Sequence, residues 1–175
     1  MITEEFIEEI DNFGKVIAIH PRDELKKRMF KHKVSLIIPR NTNSKFILGK
    51  RAKDKFPFAD TWCCAIGGKV SAGETYENAA IREMIEESSH STELEKVCDF
   101  NYDKSDYQAI FRVFTTKKNI SVNDLKANPE EIQYFDSFNI KEIKEMIKNN
   151  PNNFAPTFRE ALINFTNNLK QIPSD

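Results

Sequence analysis

Along the 175-residue chain the spacing of apolar positions changes repeatedly, and each change predicts an element. Ile2, Phe6 and Ile10 recur every four residues and predict a short N-terminal helix over about residues 2–12. "FGKVIAIH" then reads as a turn and a strand, and "RDELKKRM", after Pro21, as a second short helix. "HKVSLIIPR" and "KFILGKR" are apolar runs joined by the polar "NTNS", the pattern of a hairpin. "TWCCAIGG" reads as one further strand, ended by its glycines. From Thr75 to about Ser89 the period becomes helical, with Ala80, Ile81, Met84 and Ile85 as an apolar stripe and the acids elsewhere. Strands follow at "LEKVCDFNY", "YQAIFRVFTT" and "EIQYFDSF". Asn139 with Glu142 has capping-box spacing and opens a helix through Ile147. Pro156 begins the last helix, with Phe158, Leu162, Phe165 and Leu169 as its core stripe. Strands and helices so mixed predict an α/β (α+β) chain, a mixed β-sheet between helices.

Composition narrows this picture. No repeat, low-complexity tract or linker divides residues 1–175, so a single domain with a full core is expected. Fourteen phenylalanines supply bulk for that core. A net charge of −1 argues against binding a nucleic-acid polymer, but leaves room for a site that takes one small anion. Cys63, Cys64 and Cys98 are too few for a disulfide scaffold and contain no CxxC pair, which points to a reduced, cytoplasmic setting. No apolar run approaches the ~20 residues of a membrane span, and "MITEEFIEEIDNF" is too acidic for a signal peptide. No membrane partner is expected.

The chemistry concentrates in "GGKVSAGETYENAAIREMIEESSH", Gly67 to His90, where Glu74, Glu77, Glu83, Glu86 and Glu87 surround Arg82. On a helix Glu83, Glu86 and Glu87 span an arc of roughly 100°. Such carboxylates repel by a few tenths of a kcal/mol per pair, and a divalent cation reverses the sign. Hard oxygen ligands suit Mg²⁺, with Mn²⁺ as a substitute. Taken alone, the same residues also fit a solvated acidic face.

The spacing decides between the two. Gly68, Glu74, Arg82, Glu83, Met84, Glu86 and Glu87 resemble the Nudix box, G-x5-E-x7-R-E-U-x-E-E-x-G-U with U aliphatic. The segment 68–90 departs from it at Ser89, where glycine is usual, and at His90, where an aliphatic residue is usual. The resemblance implies the Nudix fold, with the box as a loop–helix–loop that binds metal and positions a diphosphate. It implies Glu83, Glu86, Glu87 and the Gly68 carbonyl as metal ligands and Arg82 as the residue that orients the acids, paired with Glu74 or Glu86. Gly67 and Gly68 would let the backbone come close to metal and phosphate. The base that activates water is left between Glu83, Glu87 and a later acid from Glu130–Glu131, in "NPEEIQYF".

Beyond the box, "DNFGKVIAIHPRDELKKRMFKHKVSLII" and "ILGKRAKDKFPFADTW" resemble the Nudix subgroup laid out like isopentenyl-diphosphate isomerase. That isomerase needs a cysteine followed by His-Pro and a later Glu-x-Glu, and "CCAIGG" and "SDYQAIFRVF" have neither. His32 then packs or hydrogen-bonds at a strand end, and the cysteines line a strand. The expectation is a Mg²⁺-dependent hydrolase of a small diphosphate compound, with a nucleoside diphosphate conjugate or nucleoside triphosphate as default substrate. Arg51 heads the basic cluster Lys50, Arg51, Lys53 and Lys55 that would meet the phosphates, joined by Lys69, while Lys53 and Lys55 fit a solvated loop. An isomerase-like enzyme and a catalytically weak nucleotide-binding module are the alternatives. Monomer and homodimer both remain open.

Overall fold

A computed structural model describes residues 5–169. Residues 2–4 of the expected N-terminal helix lie outside the described residues, and the remainder is not helical: Phe6–Ile10 forms strand β1. It pairs antiparallel with β2, Val16–Pro21, with Phe6 opposite Pro21. A spacing of four satisfies a strand's period of two as well as a helix's 3.6. A register shift between Glu9 and Ile10 turns Ile10 inward beside Ile7, and both are buried. The adjacent acids then find cationic partners, Glu8 with Lys33 and Glu9 with Arg28. "RDELK" follows as a single 3-10 turn.

The remaining strands are β3, His32–Ile37; β4, Arg40–Asn41; β5, Lys45–Arg51; β6, Trp62–Cys64; β7, Ile66–Lys69; β8, Leu94–Asp103; β9, Gln108–Thr116; and β10, Ile132–Asn139. Among the described residues they form a mixed sheet in the order β7-β3-β9-β8, with β3 and β9 parallel. A second sheet runs β10-β5-β4, with β6 also on β5. The expected hairpin is therefore corrected. "HKVSLI" lies in the first sheet and "KFILGKR" in the second, and "NTNS" turns only the two-residue β4 onto β5, with Asn43 and Ser44 at positive φ. β3 is buried on both faces, which suits the middle of a mixed sheet and not one arm of an exposed hairpin. "TWCCAIGG" likewise splits at Ala65, because β6 belongs to one sheet and β7 to the other.

Helix α1, Tyr76–Ser88, packs against β7 and β3. Helix α2, Ile140–Asn149, opens on the expected capping box, in which Asn139 accepts from the Glu142 amide at 2.9 Å. Helix α3, Pro156–Asn168, packs against β8 and β9. Alternate residues of the mixed sheet feed two cores. Leu36, Phe111 and Val113 meet Phe158, Leu162 and Phe165 of α3, while Ile37 and Phe114 meet Ala80 and Met84 of α1. The layered architecture expected from the sequence is present.

Two local features carry energetic consequences. His32 is fully buried, its Nδ1 3.0 Å from the Phe30 carbonyl and its Nε2 3.1 Å from the Tyr107 hydroxyl, the strand-end role expected of it. Burial pushes its pKa from 6.5 down to about 4, so the ring is neutral in the folded protein. Ser89 ends α1 by taking the left-handed conformation itself, at φ 52° and ψ 23°, and donates its amide to the Ile85 carbonyl.

Two measurements follow. As pH falls from about 6.5 to about 4 the unfolded chain takes up a proton at His32 that the native state refuses, so stability falls across that window. The loss is on the order of 3 kcal/mol, and it is read as a chemical-denaturation slope that His32→Asn flattens. Ser89→Gly removes the left-handed strain and raises the stability by about 1 kcal/mol, read from denaturant midpoints.

Candidate active site

The site is built where α1 overhangs β7, the edge strand of the mixed sheet. Thr75 caps α1 by accepting the Asn78 amide at 3.1 Å, which sets the phase of the helix. That phase differs from the apolar stripe. Ala80 and Met84 are buried, but Ile81 and Ile85 are 44% and 51% exposed, and Glu83 and Glu87 turn inward at 8% and 6%. An acidic pair is tolerated there because the strand beneath it carries no side chain at Gly68. A Cβ on Gly68 would fall on the Glu83 carboxylate, and one on Gly67 would meet the Ser35 carbonyl at 2.8 Å. The Gly67 amide instead donates to Glu87 at 3.2 Å.

Arg82 fastens this arrangement. Its Nε and one terminal nitrogen each donate to Glu74 at 3.0 Å, the other terminal nitrogen reaches Glu83 at 2.7 Å and Glu86 at 3.2 Å, and the Lys69 carbonyl accepts at 3.1 Å. Glu74 also accepts the Ser71 amide. Arg82 thus pairs with both expected partners, and these bonds hold its own pKa above the usual guanidinium value. Burial raises the Glu83 carboxyl, against the pull of Arg82. Glu87 is pushed well above the ordinary carboxylate range by burial first, then by the neighbouring charges of Glu83 and Glu131.

Glu131 arrives from a distant part of the chain. The last carbonyls of α1 accept amides of the segment that leads into β10, Glu87 from Asn128 and Ser88 from Lys126, each at 2.9 Å. The Ala52 amide holds the Glu131 carbonyl at 2.9 Å. Glu131 pairs with Lys55 at the rim of the cleft, whereas Glu130 is exposed.

The resulting cleft has a volume of about 220 Å³. Gly67, Gly68, Lys69, Arg51, Arg82, Glu83, Glu86, Glu87 and Glu131, the residues singled out from the sequence, all line it. Lys55 lines it too, which corrects its assignment to a solvated loop, while Lys53 is exposed and Lys50 pairs with Asp60. Burial draws the Lys69 ammonium down to about 8, helped by the cations Arg22, Lys55 and Arg51. Sequence reasoning missed Arg22, Glu5 and Tyr107 as part of this cleft. Arg22 is brought over by the 3-10 turn after β2 and pairs with Glu5. Nothing in its local sequence marks it, because its place depends on how the β1–β2 ribbon sits on the body.

The donor chemistry suits a hard divalent cation: buried carboxylate oxygens, raised in pKa by burial and mutual repulsion, beside a glycine backbone. Among the described residues no three acidic, thiol or imidazole groups already converge on one point, and Arg82 holds Glu83 and Glu86.

Residues 29–159 match the family model described as NUDIX domain. The chain is 28% identical over 160 residues to a prenyl-diphosphate phosphatase of Methanosarcina mazei, covering 90% of this chain and 92% of that protein. It is 31% identical to an uncharacterized Nudix hydrolase of Pseudomonas aeruginosa, over 47% of this chain and 49% of the other. In fold it resembles a Deinococcus radiodurans crystal structure, with a TM-score of 0.71, 19% identity and 83% and 90% of the two chains covered. A MutT protein of Methanosarcina mazei superimposes with a TM-score of 0.66 and 19% identity, over 82% and 96%.

Gly68→Ala separates the site from the fold. The obstructing atoms are the side-chain end of Glu83 and not backbone, so the stability will fall by only about 1 kcal/mol. Turnover will fall about a hundredfold as the carboxylate is displaced.

Proposed function

The chain belongs to the Nudix family and is a hydrolase of diphosphate bonds; from that premise we propose that its substrate is a prenyl diphosphate. The observation that carries this reading is the twofold chemistry of the cleft lining. Arg22, Arg51, Lys55 and Lys69 line it together with the carboxylates, while Val34, Leu36, Phe58, Cys63, Tyr107 and Phe111 supply an apolar lining. A diphosphate needs the first set and a hydrocarbon tail needs the second. The name of the Methanosarcina mazei relative supports the same assignment. In this reading a prenyl tail takes the place of the nucleoside expected by default.

Glu83, Glu86 and Glu87, with the Gly68 carbonyl, would hold Mg²⁺ or Mn²⁺. When bound, such a cation neutralises phosphoryl oxygens and polarises a water for attack on phosphorus. The protein's own residues do the rest. Arg51 and Arg22 orient the phosphoryl oxygens through planar guanidinium forks, and Lys55 and Lys69 add charge. Arg82 binds no substrate in this scheme; it keeps Glu83 and Glu86 aimed by bonding both and is itself anchored on Glu74. Glu131, which lines the cleft close enough to Glu87 to raise its pKa and stands outside the set that would hold the metal, takes the proton of the attacking water.

Replacing Glu87 by glutamine tests the assignment. It removes a charge that is buried beside Glu83 and Glu131, so the melting temperature will hold or rise. The kcat for release of phosphate from dimethylallyl diphosphate with Mg²⁺ will fall by about a hundredfold or more. Chelation of the metal will abolish turnover of the parent protein, and Mg²⁺ or Mn²⁺ will restore it. A variant as fast as the parent, or turnover that persists in chelator, would refute the assignment.

A further inference from the structure

We propose that the apolar inner wall of the cleft, formed by Phe58, Tyr107 and Phe111, limits the substrate to a short prenyl tail, and that Tyr107 is the specificity-determining residue. This rests on the prenyl-diphosphate reading above and adds to it a length limit and the side chain that sets it.

Three observations carry the inference. First, the wall is continuous: the Tyr107 ring lies 6.0 Å from Phe111 and 6.3 Å from Phe58, centroid to centroid, and all three residues line the cleft. Second, Tyr107 is fixed. It is 8% exposed, and its hydroxyl is taken by the fully buried His32, which is anchored in turn at the Phe30 carbonyl. With the hydroxyl engaged, Tyr107 presents its ring to the cleft, and the ring cannot swing aside without breaking a buried hydrogen bond. Phe111 is held from behind by Phe100, stacked at 4.8 Å. Third, the space is small. The cleft volume of about 220 Å³ lies below the roughly 300 Å³ at which small-molecule pockets usually begin. The diphosphate shares that space with the tail, so a long tail meets the wall.

His32 thereby gains a role that catalysis does not give it. It is a positioning residue that keeps the wall in place, acting through Tyr107 and not on the substrate.

The test compares kcat/KM for dimethylallyl, geranyl and farnesyl diphosphates, with Mg²⁺ present, in the parent protein and two variants. The parent will favour the shortest tail. Tyr107→Ala opens the wall and will raise the farnesyl-to-dimethylallyl ratio by about tenfold or more. Phe58→Ala removes the wall from the loop side, where the side chain is only partly buried against the core, and will move the ratio the same way even if Tyr107→Ala does not fold. A parent that hydrolyses farnesyl diphosphate as well as dimethylallyl diphosphate would overturn the length limit and leave the prenyl reading standing. So would a ratio that neither variant changes. If none of the three compounds is hydrolysed, both readings fall together.

Discussion

The inward rotation of α1 over a strand edge without side chains is the constraint on which the site depends. Two carboxylates, Glu83 and Glu87, occupy positions that an ordinary amphipathic helix would give to aliphatic residues, while Ile81 and Ile85 remain outside. Desolvation alone would make this unfavourable, as the upward displacement of both carboxyl pKa values indicates. Three features offset it. Gly68 leaves the space, the Gly67 amide donates to Glu87, and Arg82 brings one positive charge to Glu74, Glu83 and Glu86 together. Glu87 retains no cationic contact of this kind, and its charge stands beside those of Glu83 and Glu131. The unbalanced negative potential at that point is what a divalent cation would neutralise.

The rest of the fold can be understood as a means of placing charges and apolar walls around that helix. The chain crosses between the two sheets at Ala65, so Cys63 of β6 and Gly67 of β7 look onto the same space from different sheets. Arg51 ends β5 opposite Ile132, and the turn just before Ile132 carries Glu131. The β1–β2 ribbon contributes Arg22 and Glu5 from a third direction. Cations and anions are therefore interleaved around the cleft, which suits a substrate whose negative head is shared between metal and guanidinium groups.

Stability comes from elsewhere. The aromatic core between the mixed sheet and α3, with Phe158 and Phe165 fully buried, lies on the opposite face of the sheet from α1. Burial of a large apolar side chain is worth about 1.5–3 kcal/mol, enough for a few such residues to outweigh the unfavourable burial of Glu83 and Glu87. The strained Ser89 cap and the neutral buried His32 are smaller costs supported by the same core.

Much of this was legible in the chain itself. The spacing of Gly68, Glu74, Arg82, Glu83, Glu86 and Glu87 identified the family, because metal and diphosphate chemistry fixes these residue types at a fixed helical phase. The Asn139–Glu142 capping box and the stripe of α3 were equally plain, since both are local in sequence. What could not be read were relations across distance: that Phe6 and Ile10, spaced four apart, belong to a strand, that "VSLI" and "FILG" enter different sheets, and that Arg22, Lys55 and Tyr107 meet in one cleft. Periodicity reports which side of an element is apolar, not which neighbour it meets. In α1 it even pointed to the wrong side at Ile81 and Ile85, because the deciding factor was the absence of side chains on the strand below. The sequence alone determined the chemical kind of the site, through residue types at a local spacing; the tertiary structure alone decided what surrounds it, since the shape and polarity of a cleft arise from the packing of segments far apart in the chain.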